Sequence, residues 1–251
     1  MNRTLAATAA ATALLTLAAS PPADAITDSA VMAYPGMTIV QGNAKCTLAF
    51  IDAIHQIGYS AGHCNEASTV TDANGNTIGT VMSSRNNRAN HATTGPDDTV
   101  VDYETISLNA DVDATTEMGP TFAHPLITQP GVVPTPGMVV CHHGAATPSS
   151  CGEIDEVHRG WFTMKAGTMT SDHGDSGGPV FTYTDATGST PVIVGILRGR
   201  NGSRAAAVSW PATMRQAIND AADRNFLRRK PSKSGDSRSR LLGPRSGPLL
   251  S

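Results

Sequence analysis

Short apolar runs broken by turn-forming residues, not long stretches of helical period, fill most of this chain. Cys46-Thr47-Leu48-Ala49-Phe50-Ile51 reads as a β-strand, and Val100-Val101-Asp102-Tyr103-Glu104-Thr105-Ile106-Ser107-Leu108 as an apolar run ending in β-branched residues. Turn signals at Asn74-Gly75-Asn76, Thr94-Gly95-Pro96 and Thr187-Gly188-Ser189 punctuate such runs, so the pattern predicts an all-β fold. Periodicity alone does not separate barrels from a sandwich. The pattern changes at Trp210 to Ala222, where Pro211 stands near a helix start and Met214, Ala217, Ile218 and Ala221 recur at three-and-four spacing. This predicts a short amphipathic C-terminal helix. From Arg228 to Ser251 the chain is rich in Arg, Lys, Ser, Gly and Pro without apolar period, as expected of a disordered tail.

The amino terminus has a pattern of its own. Arg3 precedes an apolar stretch from Leu5 to Ala19, and Ala23-Asp24-Ala25 fits a small-x-small cleavage site, so residues 1–25 read as a signal peptide. A bilayer anchor needs about 20 uninterrupted apolar residues, and this stretch is shorter and broken by threonines. Export is expected, and the protein is read as extracellular or associated with the cell envelope. The four cysteines agree, because disulfides persist outside the cytoplasm, each contributing about 2–4 kcal/mol. No Cys-x-x-Cys pair supports the alternative use in a zinc site, and His55, His91, His124 and His158 read as surface or packing residues. No metal or cofactor is expected.

Length, 251 residues with 24 glycines and 16% charged residues, suits a small secreted β protein of one domain or two fused barrels. The net charge of −3 hides a division: residues 26–223 carry 9 basic against 19 acidic side chains, and residues 224–251 carry 8 against 1. The basic tail is suited to an anionic cell-wall polymer, a membrane surface or the protein's own acidic body, or it is simply solvated. Nucleic acid is not an expected partner, since Phe226 is the tail's sole aromatic residue and the protein is read as exported.

The chemistry centres on Gly174-Asp175-Ser176-Gly177-Gly178-Pro179. Glycines on both sides of a serine allow a tight turn and close approach of a substrate carbonyl, with the N–H groups of Gly174 and Ser176 placed to converge on an oxyanion. A base and an acid are available. His63 directly precedes Cys64 in Tyr59-Ser60-Ala61-Gly62-His63-Cys64, and Asp102 lies in a half-buried strand pattern. Asp97 and Asp98 compete for the acid's role, but following Gly95-Pro96 they read as exposed turn carboxylates.

The order His63, Asp102, Ser176, together with the motifs SAGHC, DYETISL and GDSGGP, resembles the chymotrypsin family of serine proteases, specifically its secreted actinobacterial, streptogrisin-like branch. Cys141 to Cys151, with cysteines ten apart, a glycine at the third step and a threonine at the sixth, is similar to that branch too. The resemblance spans roughly residues 34–224, is weak between Glu117 and Met138, and implies two antiparallel β-barrels with the site between them. It places a short segment at 26–36 and the protease domain at 37–226, the first barrel at about 37–116 and the second at about 120–226, with the tail at 227–251. It also implies the disulfides Cys46–Cys64 and Cys141–Cys151, a protein or peptide substrate and a monomer.

Two departures stand out. The aspartate before the nucleophile, Asp175, is normally neutralised by a buried cation; streptogrisin-like enzymes use an arginine where this chain has His142. A histidinium at His142, or at His143, is expected to pair with Asp175. Ile39-Val40-Gln41-Gly42 resembles an activation sequence but lies too near Cys46 to reach the second barrel. In the specificity pocket, formed by Thr170, Arg198 and Gly199, Thr170 replaces the aspartate that selects Lys or Arg, and Arg198 stands where a small polar residue normally supports the acid. Trypsin-like cleavage is not expected; small, apolar or acidic residues are. A pseudoprotease that binds without turnover is the alternative, and an esterase a lesser one.

Overall fold

The computed structural model describes residues 31–87, 94–119, 122, 124–185 and 187–229. The expected signal peptide and the chain beyond Arg229 lie outside the described residues. The all-β prediction holds.

A short parallel pair, β1 (Met32–Ala33) with β9 (Asp113–Ala114), ties the N-terminal segment to the end of the first unit. That unit is a seven-stranded antiparallel half-barrel in the order β3-β2-β6-β7-β8-β5-β4. Its strands are β2 (Thr38–Gln41), β3 (Ala44–Thr47), β4 (Phe50–Asp52), β5 (Ile57–Ser60), β6 (Thr69–Thr71), β7 (Thr77–Asn86) and β8 (Asp102–Leu108). The run expected as one strand from Cys46 to Ile51 is thus two. At Leu48 and Ala49, both fully buried, the chain leaves β2 and joins β5, with the Ala49 N–H donating to the Tyr59 carbonyl. The turn at Asn74-Gly75-Asn76 is closed by Asp72, whose carboxylate accepts from the N–H groups of Asn74 and Asn76.

The second unit is a closed six-stranded barrel in the order β10-β11-β12-β15-β14-β13. It comprises β10 (Val139–His142), β11 (Ser150–Val157), β12 (Trp161–Met164), β13 (Pro179–Tyr183), β14 (Pro191–Asn201) and β15 (Arg204–Ser209). Alternation along β15 divides its residues between two cores. Ala205 and Ala207 fill the barrel with Val140, Ile154, Phe162 and Leu197, while Ala206 is buried on the opposite face and Val208 joins Ile196, Phe181 and the first unit's Ile39, Leu48 and Ile106. The second core therefore cements the two units along the wall of the cleft.

Helix α1 (Trp210–Arg229) runs three residues into the segment expected as tail. Its inward residues are Trp210, Thr213, Ala217 and Asp220, whereas Ile218, expected on the apolar face, is 62% exposed. Asp220 takes the inward place because Arg85 holds it through two bonds (2.9 and 2.7 Å) and the Tyr103 hydroxyl donates to it at 2.5 Å. Both expected disulfides, Cys46–Cys64 and Cys141–Cys151, are formed.

Candidate active site

A single helical turn, Gly62–Cys64, puts His63 at the edge of the first unit, and the Cys46–Cys64 disulfide anchors that turn to β3. The imidazole Nδ1 lies 2.8 Å from Asp102 Oδ2, and the His63 backbone N–H donates to Asp102 Oδ1 at 2.9 Å. Asp102 opens β8, and its side chain is fully buried. One carboxylate thus fixes both the ring and the backbone of His63, setting Nδ1 as the donor and Nε2 as the free base. The rivals lie elsewhere: Asp97 is exposed, and Asp98 accepts from the Gly95 N–H in its own turn.

Ser176 comes from the second unit and lines the same cleft as His63. Its turn is pinned to the first unit by Thr47. The Thr47 hydroxyl donates to the Gly174 carbonyl at 2.7 Å and accepts from the Ala145 N–H at 2.9 Å, while its own N–H donates to the Ser176 carbonyl at 2.8 Å. Among the described residues, neither the Gly174 nor the Ser176 N–H donates to another protein group, which leaves both available to an oxyanion. Thr47 carries no sequence signal beyond its place next to Cys46.

The expected pairing of Asp175 with a histidinium does not form. Asp175 is fully buried; its Oδ1 accepts from the N–H groups of Ala146 and Thr147, and its Oδ2 from that of Asp172, each at 2.8 Å. Burial alone would raise this carboxyl, but these donors outweigh it and hold it below the usual carboxylate range. His142 instead directs Nε2 to the Thr170 carbonyl at 2.6 Å, and burial lowers its proton affinity, as it does that of His143. A neutral His142 is the form that fits, with Nε2 donating. Ile39, the head of the activation-like sequence, is fully buried in β2 opposite Cys46.

Of the expected pocket residues, Arg198 and Gly199 line the cleft; Thr170 is exposed and outside its lining. Arg200, the end of the run Ile196 to Arg200 expected as a pocket wall, lines it too, and Ser171, Asp172 and His173, which the sequence did not single out, complete it. The Arg198 side chain is only 3% exposed and turns inward, its Nε 3.6 Å from Asp102 Oδ2. Arg200 stays exposed and donates to the Ser203 carbonyl. The closeness of Cys46, His63 and Cys64 does not offer three metal ligands, since both sulfurs are spent in the disulfide.

Comparison with known proteins places these features. No family model matches the chain. It is 40% identical over 211 residues to an uncharacterized protein of Mycobacterium tuberculosis, Rv1815 in strain H37Rv and MT1863 in strain CDC 1551, across 84% of this chain and 93% of that one. Among solved structures it resembles a glutamic acid specific serine protease said to use a histidine triad in substrate binding (TM-score 0.54, 16% identity, 76% of this chain and 98% of the other). It also resembles Cellulomonas bogoriensis chymotrypsin (TM-score 0.52, 20% identity, 76% and 96%). A scabies mite inactivated protease paralogue shares the fold as well (TM-score 0.50, 11% identity, 75% and 93%).

Proposed function

Because the chain belongs to the same family as the uncharacterized Mycobacterium tuberculosis protein and carries the chymotrypsin-like fold, we propose that it is a secreted serine endopeptidase working through an acyl-enzyme. The observation that carries this reading is the doubly bonded His63–Asp102 pair facing the cleft that holds Ser176. His63 takes the Ser176 proton as the hydroxyl oxygen attacks a peptide carbonyl, then gives it to the leaving amine. Asp102 keeps the ring in one tautomer and balances the imidazolium, while the Gly174 and Ser176 N–H groups receive the oxyanion. Water then repeats the sequence on the acyl-serine.

Arg200, an exposed cation on the cleft lining, favours acidic over basic side chains at the cleavage position. The cleft's own acid, Asp172, is exposed and tempers this preference. The pseudoprotease reading draws on Arg198, a cation beside the acid of the triad, and on the fact that the fold also occurs in an inactivated paralogue.

A fluorophosphonate probe tests the proposal, with the labelled peptide located by mass spectrometry and peptide-library profiling of the same preparation. Labelling at Ser176 that disappears in Ser176→Ala, with library cleavage after acidic or small residues, is expected. A folded protein that takes no label between pH 5 and pH 9, conditions spanning roughly the range in which histidine bases work, would move the pseudoprotease reading ahead. Strong Lys or Arg preference would refute the specificity.

A further inference from the structure

We propose that Arg198 is a positioning residue of the triad, holding Asp102 as a buried carboxylate while weakening its hold on the His63 proton, so that Ser176 stays reactive in more acidic solution. The inference rests on the triad reading above and adds a residue that acts through Asp102, not on the substrate.

The backbone is built to aim this side chain. Along the β14–β15 ladder Leu197 pairs with Ala207 and Gly199 with Ala206, so Arg198 is the extra residue of a bulge. A bulge redirects the side chain it carries. Here it brings Arg198 of the second unit to Asp102 of the first, with Nε 3.6 Å from Oδ2. Gly199 follows at φ +125°, a conformation side-chain-bearing residues rarely adopt, so glycine after Arg198 is a backbone requirement of this bulge.

The electrostatics follow from burial. The side chains of Asp102 and Arg198 are 0% and 3% exposed, so water screens little of their attraction. Oδ2 of Asp102 is shared between the imidazole Nδ1 and the guanidinium, and negative charge drawn toward Arg198 is withdrawn from the developing imidazolium. The other ionisable groups facing this site do not replace that cation. Glu104, two residues along β8, is buried and its carboxyl is pushed up to about 8 by desolvation, so it is neutral in acid. Asp172, His173 and Arg200 stand along the cleft wall, where all three are exposed and screened. Asp175 is buried and charged, but its oxygens are taken up by three backbone N–H groups, which leaves Arg198 as the buried cation in direct reach of Asp102.

The rate of fluorophosphonate labelling of the full chain, measured from pH 4 to pH 9 or so, reads this without needing a substrate. Arg198→Gln should move the midpoint of the acid limb upward by about one pH unit. Arg198→Lys, which keeps the charge, should leave the midpoint within a few tenths of a unit. Arg198→Met, which keeps the buried stem, should behave as glutamine does and serves where the buried amide unfolds the chain. Midpoints that stay put in both uncharged variants, with only the plateau lowered, would overturn the inference and leave Arg198 a packing residue. Absence of labelling in the parent protein at every pH would instead overturn the triad reading, so the two failures are distinguishable.

Discussion

Asp175 shows how a buried carboxylate next to Ser176 is stabilised without a bonded cation. Three backbone N–H groups, from Asp172, Ala146 and Thr147, fill its oxygens. Such donors favour the charged form as an ion pair does, without having to desolvate a second charge. The expectation of a histidinium failed for this reason: residue type at position 142 is visible in sequence, but N–H groups converging from 28 and 29 positions away are not. A signal did exist in Gly144. A Cβ there would lie 2.3 Å from Asp175 Oδ1, so only glycine lets the loop close over the carboxylate. Gly144→Ala should therefore cost about 1–3 kcal/mol of stability, as overpacking does, and slow Ser176 labelling at the same time. Denaturant midpoints and labelling rates check this; a variant normal in both would show that the Asp175 cradle does not hold the nucleophile turn. His63, Asp102 and Ser176 could be named as candidates because their motifs are local, whereas Thr47 could not, since its bonds reach 127 residues to Gly174.

At the level of elements, the strands were readable where alternation and turn residues coincide, as at Asn74-Gly75-Asn76, and misread where the chain changes partner without a turn residue, as at Leu48-Ala49. The helix was readable too, but not its inward face. Apolar spacing placed Ile218 inward, yet the buried position belongs to Asp220, because a carboxylate that meets Arg85, Tyr103 and Gln216 is better placed there than an isoleucine facing a tyrosine hydroxyl. Burial by itself raises the Asp220 carboxyl, and those partners together bring it below its ordinary range. This cluster clamps α1 onto β7 and β8. Removing its centre takes away the carboxylate that the buried Tyr103 hydroxyl donates to, while removing Arg85, whose side chain is 57% exposed, exchanges its two bonds to Asp220 for water. Asp220→Ala should accordingly cost about 2–3 kcal/mol, and Arg85→Ala no more than about 1 kcal/mol. Equilibrium denaturation of the two variants gives the comparison, and the reverse ranking would mean that the surface ion pair, not the buried network, secures the helix.

Across the whole molecule, pH acts on stability through buried groups of opposite sign. Glu104, inside the first unit with Gln41 as its hydrogen-bond partner, has its carboxyl pushed up to about 8 from the ordinary 4.5, chiefly by desolvation. Its folded state binds more protons than the unfolded chain between those values, so its contribution is fully present in acid and is lost as pH rises to about 8. His142 and His143 work the other way. Burial lowers their proton affinity below the ordinary 6.5, so the unfolded chain binds more protons up to that point and stability rises with pH. Below 6.5 the histidines and Glu104 therefore oppose one another, and above it Glu104 acts with little opposition. The protein should be most stable slightly below neutrality and lose about 2 kcal/mol between pH 6.5 and pH 8, given 1.36 kcal/mol per unit for one proton. Glu104→Gln, which keeps the shape and removes the titration, should flatten that decline. Denaturant unfolding of both proteins across the interval is the measurement. A parent protein whose stability holds to pH 8, or a glutamine variant that declines as steeply, would show that the carboxyl ionises inside the fold at little cost. In that case Glu104 would be a second negative charge beside Asp102 at neutral pH, and Arg198 would be balancing two carboxylates instead of one.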